Sequence, residues 1–402
     1  MTTTKRRKRT LPWKDNLAYS MGSAGINFMF ALISFYLMYF YTDVLGITAA
    51  AAGTLLMVAR IWDVFNDPIM GTIVDRTHTR WGKFRPFIIS GLAPCFLLFV
   101  LTFYTPNLGN TGKTVWAYLT YIPLLMAVTL IYIPYHAQST IMTTNSFERA
   151  EVGALQQIMA FIATLVVTAG ALPLVGLFDS QQKGFFYTAS VFGFIAVISY
   201  MITFVGTKKY DLPKGQSNTY RSSTRSQPFS RRIRVLTGNR PLLSVVSSYL
   251  FFQIGLTIMT AVTIYFFKYY IRMEKFYPIF MGSFMVIMVI GTLFVPYLSR
   301  KMGKKNLYQL ANLLSMISLL LMFVICLRFH AEQAAASFKF GPLFFISMFS
   351  AFWNGPVIAL VWGIVPDTVE YAEWKVGIRA EGLVFALLGF MQKTALGIAG
   401  AV

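Results

Sequence analysis

Charge is scarce in this sequence. Asp, Glu, Lys and Arg make up 12% of its 402 residues, whereas roughly 25% is ordinary for a soluble domain. A conventional water-soluble globule is excluded, and the mean hydropathy of +0.59 agrees. Cysteine is nearly absent. Cys95 and Cys326 both lie in apolar stretches, so they read as small core residues and offer no disulfide framework and no metal cluster. HExxH, GxSxG, P-loop and CxxC patterns are missing too, which leaves no legible enzyme constellation. Nor is there a cleavable signal peptide: the first apolar run is too long for one, and no small-residue cleavage pattern follows it.

What the sequence has in abundance is hydrophobic length. Apolar residues reach 56% and fall in eleven long runs, about 24–42, 48–74, 86–104, 116–140, 152–178, 185–205, 241–267, 277–298, 306–328, 340–365 and 382–402. A helix needs about 20 residues to cross the hydrocarbon core. Strands are excluded because the runs lack barrel alternation and an open sheet edge cannot be satisfied in lipid. The fold class that follows is an all-α membrane protein of about eleven transmembrane helices. The one long polar connector, 207–240, divides it into an N-terminal six-helix bundle (1–206) and a C-terminal bundle of five (241–402). After the second run comes GTIVDRTHTRWGKFR (71–85), and after the eighth LSRKMGKK (298–305). Both are short basic turns with Gly-Lys, and two related halves of this kind are the major facilitator layout.

The formal net charge of +20 invites a nucleic-acid reading, but its distribution argues for topology. Of the 35 Lys and Arg, 26 fall on the loops of one side and 7 on the other, with Arg60 and Lys393 inside helices. The positive-inside rule places the N-terminus, with its Lys5–Arg9 run, and the 207–240 loop in the cytoplasm of a cell membrane. The partner this implies is the lipid bilayer and not nucleic acid.

The ionisable residues inside apolar runs carry the functional signal. The second run reads ARIWDVFNDPIMG (59–71). Asp63 and Asp67 are four apart on one helical face, and Asn66 flanks it. Each carboxylate costs at least about 2.5–3.5 kcal/mol in the bilayer, and two together repel unless a cation or proton lies between them. Oxygen ligands suit a small hard cation such as Na+. The structural alternative is a carboxylate paired with Arg60, which cannot neutralise both. Lys393, in the middle of the last run, either faces the bundle or snorkels to an interface. Asp43 closes the first run as a cap or as a functional residue. His136, in YIPYHAQST, is either a polar site residue or a satisfied buried histidine.

At these residues a resemblance emerges. The chain resembles the glycoside–pentoside–hexuronide:cation symporters, a branch of the major facilitator superfamily that includes the melibiose and glucuronide carriers. The motifs that carry it are YTDVLG (41–46), ARIWDVFNDPIMG (59–71), RWGKFRPF (80–87), Ile133-Pro134-Tyr135, PDTVEYAEW (366–374) and GIRAEG (377–382). The resemblance implies a cation site at Asp63, Asn66 and Asp67, with a further oxygen from Thr129 and with Lys393 nearby. It implies no cofactor beyond a co-transported Na+ or H+. The melibiose carrier has aspartates where this chain has Asn27 and Tyr132, a tryptophan at His136, and an arginine where Gln156 or Gln157 stands. Those differences turn the substrate reading from a galactoside toward a hexuronide or other anionic sugar. Such carriers have twelve segments, so the resemblance also implies a truncated frame or a fragment. The expected activity is symport of a sugar or glycoside with the cation. The alternatives are an uncoupled or lipid-handling relative, a non-transporting sensor, or a truncated inactive carrier.

Overall fold

A computed structural model describes residues 11–77, 79–211, 236–271, 273, 276–328, 337–377 and 379–401. Most of the 207–240 connector, residues 212–235, lies outside the described residues.

Each of the eleven apolar runs falls on a helix. In chain order these are α1 Trp13–Tyr39, α2 Ala49–Arg76, α3 Arg85–Thr102, α4 Asn110–Met142, α5 Ser146–Val175, α6 Gln181–Gly206, α7 Arg240–Tyr265, α8 Tyr277–Leu293 with the short α9 Val295–Met302, α10 Lys304–Arg328, α11 Ser337–Val376 and α12 Glu381–Ala401. α1 and α7 each end in a π-helical turn, Phe40–Leu45 and Phe266–Ile271. Starts are set by side-chain caps, because the first N–H groups of a helix have no partner of their own. Thr48, Asn145, Ser180 and Asn239 each accept such a bond. Among the described residues there is no strand, only an isolated bridge between Thr79 and Gly82.

The eighth run is a bent pair. α8 and α9 meet at 44°, because Pro296 at the start of α9 cannot donate back into α8. Among the described residues, eight helices are long and apolar enough to cross a membrane by length and hydropathy alone, nine with the bent pair. α2 and α12 carry the intramembrane charges Arg60, Asp63, Asp67 and Lys393. Ionisable residues inside a spanning segment are costly in lipid and ordinarily face the bundle or a cavity.

The packing groups α1 with α5 and α6, α3 with α4 and α6, and α2 with α4. In the second half α11 packs on α8 and α10, and α7 on α12. The halves meet along two seams, α5 against α11 and α8, and α2 against α12. The backbones touch there. A Cβ at Gly71 would sit 2.7 Å from the Gly382 carbonyl oxygen, and one at Gly363 would sit 3.0 Å from that of Arg149. Only glycine allows so close an approach.

Several helices run past their apolar stretch at the end where the basic loops gather. α11 continues to Val376 through PDTVEYAEW, so this motif is helical although it is polar. Its acids meet bases from the other half there. Arg149 on α5, whose side chain is buried, bonds Asp367 at 2.8 Å and also Glu370. Lys304 reaches Asp367 as well, and Arg300 pairs with Glu151. Along the other seam Lys83 bonds Asp75 at 3.2 Å and also Glu381. Arg379 bridges Glu381 and Glu373 at 2.5 and 2.8 Å. Asp75 accepts from the Gly382 and Leu383 N–H groups that open α12. Burial of Lys83 works against its charge, but the Glu381 and Asp75 carboxylates outweigh it and hold its ammonium above the ordinary lysine range. The two halves are thereby tied together at this end.

Candidate functional site

Between the halves, from the helix middles away from that tied end, lies a partly open cavity of about 480 Å³. Pockets of roughly 300–1,000 Å³ enclose drug-sized ligands. α1, α4 and α5 supply one wall, α7, α8, α11 and α12 the other.

At its edge stands the charged cluster. Asp63 and Asp67 are 1% and 2% exposed, on one face of α2 as their spacing requires. The Lys393 ammonium, from α12, lies 3.0 Å from an oxygen of each. Thr129 on α4 donates to Asp67 at 3.2 Å. Arg60 reaches only Asp63, at 3.9 Å. The sequence argument from unbalanced charge therefore needs correcting, because Lys393 supplies the second cation and the cluster of Arg60, Lys393, Asp63 and Asp67 sums to zero. Lys393 faces the bundle and does not snorkel. Asn66 sits beside the face, with its amide nitrogen buried and unpartnered. Asp43 lies elsewhere, exposed in the π-helical end of α1 with Thr42 bonded to it.

The other named residues line the cavity in different states of commitment. Asn27 spends its amide N–H on the Ser23 carbonyl, 2.8 Å away on its own helix. Gln156 is buried and donates to the hydroxyls of Tyr19 and Tyr135 at 3.0 and 3.2 Å, while Gln157 beside it lines the cavity. Tyr132 donates to Gln392 at 3.0 Å. His136 is buried and stacks on Trp362, with ring centroids 4.0 Å apart and 19° between planes, and its Nδ1 has no partner. The reading of a satisfied core histidine does not hold at that nitrogen.

The MFS/sugar transport protein family model matches residues 18–402. The chain belongs to this family. Its likeness to other members of the MFS/sugar transport family spans nearly the whole sequence. The isoprimeverose transporter of Lactiplantibacillus pentosus is 32% identical over 399 residues, 98% of this chain and 80% of that one. The glucuronide carrier protein homolog of Escherichia coli (strain K12) is 29% identical over 98% of this chain and 82% of its own. Among solved structures, the MFS proton:xylose symporter XylE bound to 6-bromo-6-deoxy-D-glucose superposes with a TM-score of 0.62 at 16% identity, over 96% of this chain and 87% of that one. That likeness speaks to the fold alone. As a member of the MFS/sugar transport family, the chain is an all-α membrane transporter and not an enzyme. The resemblance to glycoside–pentoside–hexuronide:cation symporters read from short motifs agrees with the family match and these relatives.

The substrate residues named from the sequence lie on α1, α4, α5 and α12, and the contributions of α7 and α8 were missed. The signal was present. Gln253, Thr257 and Thr260 stand at i, i+4 and i+7 in an otherwise apolar run, and all three line the cavity. Trp362 and Gln392 were missed as well. One was hidden among many aromatics, the other overshadowed by Lys393 beside it.

Proposed function

We propose that this chain is a secondary active symporter carrying a sugar or glycoside together with Na+ or H+. Asp63 and Asp67 hold the cation, with Thr129 and Asn66 adding oxygens, and Asn27, Tyr132, His136, Gln156 and Lys393 meet the solute. The carrying observation is the Lys393 ammonium set between the two carboxylates at the cavity's edge. It occupies the place a coupling cation would take. A cation or proton entering there competes with Lys393 and releases it toward the cavity it lines. A freed ammonium attracts an anionic group or bonds a hydroxyl, so cation and solute favour the same state and each raises the other's affinity.

Substrate charge follows from the same geometry. Among the described residues that line the cavity, Arg60 and Lys393 are basic and none is acidic, which supports a hexuronide or other anionic sugar over a neutral galactoside. The likeness to a glucuronide carrier homolog points the same way. The basic, tied end is read as cytoplasmic by the positive-inside rule, which makes this an outward-facing conformation. The halves 1–206 and 241–402 rock about the cavity, joined by the 207–240 connector.

The same bridge also favours one rival. Were Lys393 never displaced, it would serve as a permanent cation and the carrier would be uncoupled. Counterflow of labelled glucosides and glucuronides in vesicles, with and without sodium and across a pH step, separates the two. Symport requires solute accumulation that follows one of the two cation gradients. Equal flux under every condition would establish the uncoupled carrier.

A further inference from the structure

Lys83 is used twice. Its ammonium bonds Asp75 at 3.2 Å and reaches Glu381 on α12, in the other half. Its backbone N–H donates to Asp211 at 2.7 Å. Asp211 stands just past the end of α6, at the root of the 207–240 connector, and is buried. Its carboxylate also takes the N–H groups of Phe84 and Arg85, at 2.7 and 2.9 Å. One side chain thus collects three successive N–H groups from the turn that opens α3. That helix has no cap of its own, because Phe84 before it makes no side-chain cap bond. Asp211 supplies from a distance the acceptor that the first N–H groups of a helix need.

The turn is shaped to close on this carboxylate. Gly82 has a φ of +107°, which glycine adopts and other residues resist. A Cβ there would sit 2.3 Å from the Asp211 carboxyl carbon. Successive N–H groups in such a turn form a concavity that favours an anion. Asp211 is itself anchored. Lys209 pairs with Asp15 on α1, and Tyr210 donates to the same carboxylate. Thr207 accepts from Gln138 on α4 at 2.9 Å. The turn is therefore fixed against the first half at three points, and Lys83 leaves it from one place. Without that hold, more backbone and side-chain conformers compete with the one that reaches Glu381, and the bond across the seam costs more ordering entropy.

We propose that Asp211 is a positioning residue for closure of the basic end. Its carboxylate sets the 82–85 turn so that Lys83 meets Glu381. Loosening it opens that end, although the bonds Asp211 makes among the described residues stay within the first half. This rests on the reading of the basic end as the closed side of an outward-facing carrier, and it names what holds the closing lysine in place.

The experiment reads both ends of the full chain, in a background lacking Cys95 and Cys326. A cysteine at Thr140, which is buried and bonds Glu381, reports the basic end in inside-out vesicles. A cysteine at Ser34, which lines the cavity, reports the open end from outside. Asp211→Ala should raise modification at Thr140→Cys about tenfold and lower it at Ser34→Cys, because the population moves from one state to the other. Asp211→Asn keeps one acceptor and should give a smaller shift in the same direction; it stands in if Asp211→Ala does not reach the membrane. Lys83→Met should reproduce the shift, and the double variant should go no further than Lys83→Met alone, since both act through one bond. A rise at both cysteines would show a protein merely loosened, and additive effects would show that Asp211 acts by another route. Either result, or no change in the Asp211 variants while Lys83→Met opens the basic end, overturns the proposal alone. If Lys83→Met leaves both cysteines as in wild type, the tied end does not hold the carrier shut, and the reading of this conformation fails as well.

Discussion

At the scale of single residues, the cluster on α2 decides what the protein can couple. Asp63→Asn or Asp67→Asn should abolish gradient-driven accumulation in vesicles, while solute exchange, which needs no net cation movement, is retained. Full accumulation by both variants would remove the cation assignment. Lys393→Ala tests the competition from the other side. With the tethered ammonium gone, Asp67 keeps only the Thr129 hydroxyl and Asp63 only the more distant Arg60, and breaking a buried ion pair in this way costs about 3–5 kcal/mol. The two carboxylates should take the cation at lower concentration than in wild type, read as a fall in the cation level giving half-maximal solute binding; an unchanged level would mean that Lys393 does not compete. Substrate charge is tested at Asn27. Asn27→Asp should weaken a glucuronide more than its neutral glucoside in displacement assays, and equal loss would end the charge argument. Asp63 and Asp67 were legible in the sequence because their spacing is local to one helix. Their partner came only through the family resemblance, which set Lys393 nearby, since the pairing of Asp67 with Lys393 joins positions 326 residues apart and no periodicity reports it.

At the scale of helices, each apolar run fell on a helix, because the bilayer imposes a length that composition records directly. Where helices run on in polar sequence, the sequence misled. PDTVEYAEW lies beyond the 340–365 apolar run, yet it is the end of α11, with Asp367 and Glu370 held by Arg149 and Asp367 also by Lys304, from other helices. The seams were not legible at all, since a glycine in an apolar run does not say which backbone will lie against it. They are testable. Gly382→Val should push α12 off α2, where even a Cβ would crowd the Gly71 carbonyl. The tied end should loosen, and a cysteine placed at the buried Thr140, which bonds Glu381, should become reactive in inside-out vesicles. If Gly382→Val leaves that cysteine as protected as before, the seam does not hold this end shut.

At the scale of the whole molecule, the ion pairs at one end fix the state in which the protein rests. Arg149→Gln removes the buried partner of Asp367 and Glu370, and should shift the population toward opening at that end, measured by the same Thr140→Cys reactivity. Lys83 holds its proton more tightly than an ordinary lysine, so its contribution is fully present below the usual lysine range and is lost only as pH rises through the elevated value. Closure at that end should accordingly be flat across neutral pH. Topology has its own check. A cysteine at the exposed Lys305, in a background lacking Cys95 and Cys326, should label only after permeabilisation if the basic end is cytoplasmic. The zero sum of the cluster has an electrical consequence. An empty carrier returning with Lys393 between its carboxylates moves no net charge through the field, so the membrane voltage cannot drive or hinder that step. The loaded carrier differs. With one cation and a neutral glycoside it moves one charge, worth about 2.3 kcal/mol per 100 mV, and it should give a transient current on a capacitive membrane. With one cation and a uronide it moves none and should be silent. The sign of the solute would then be written in the current alone.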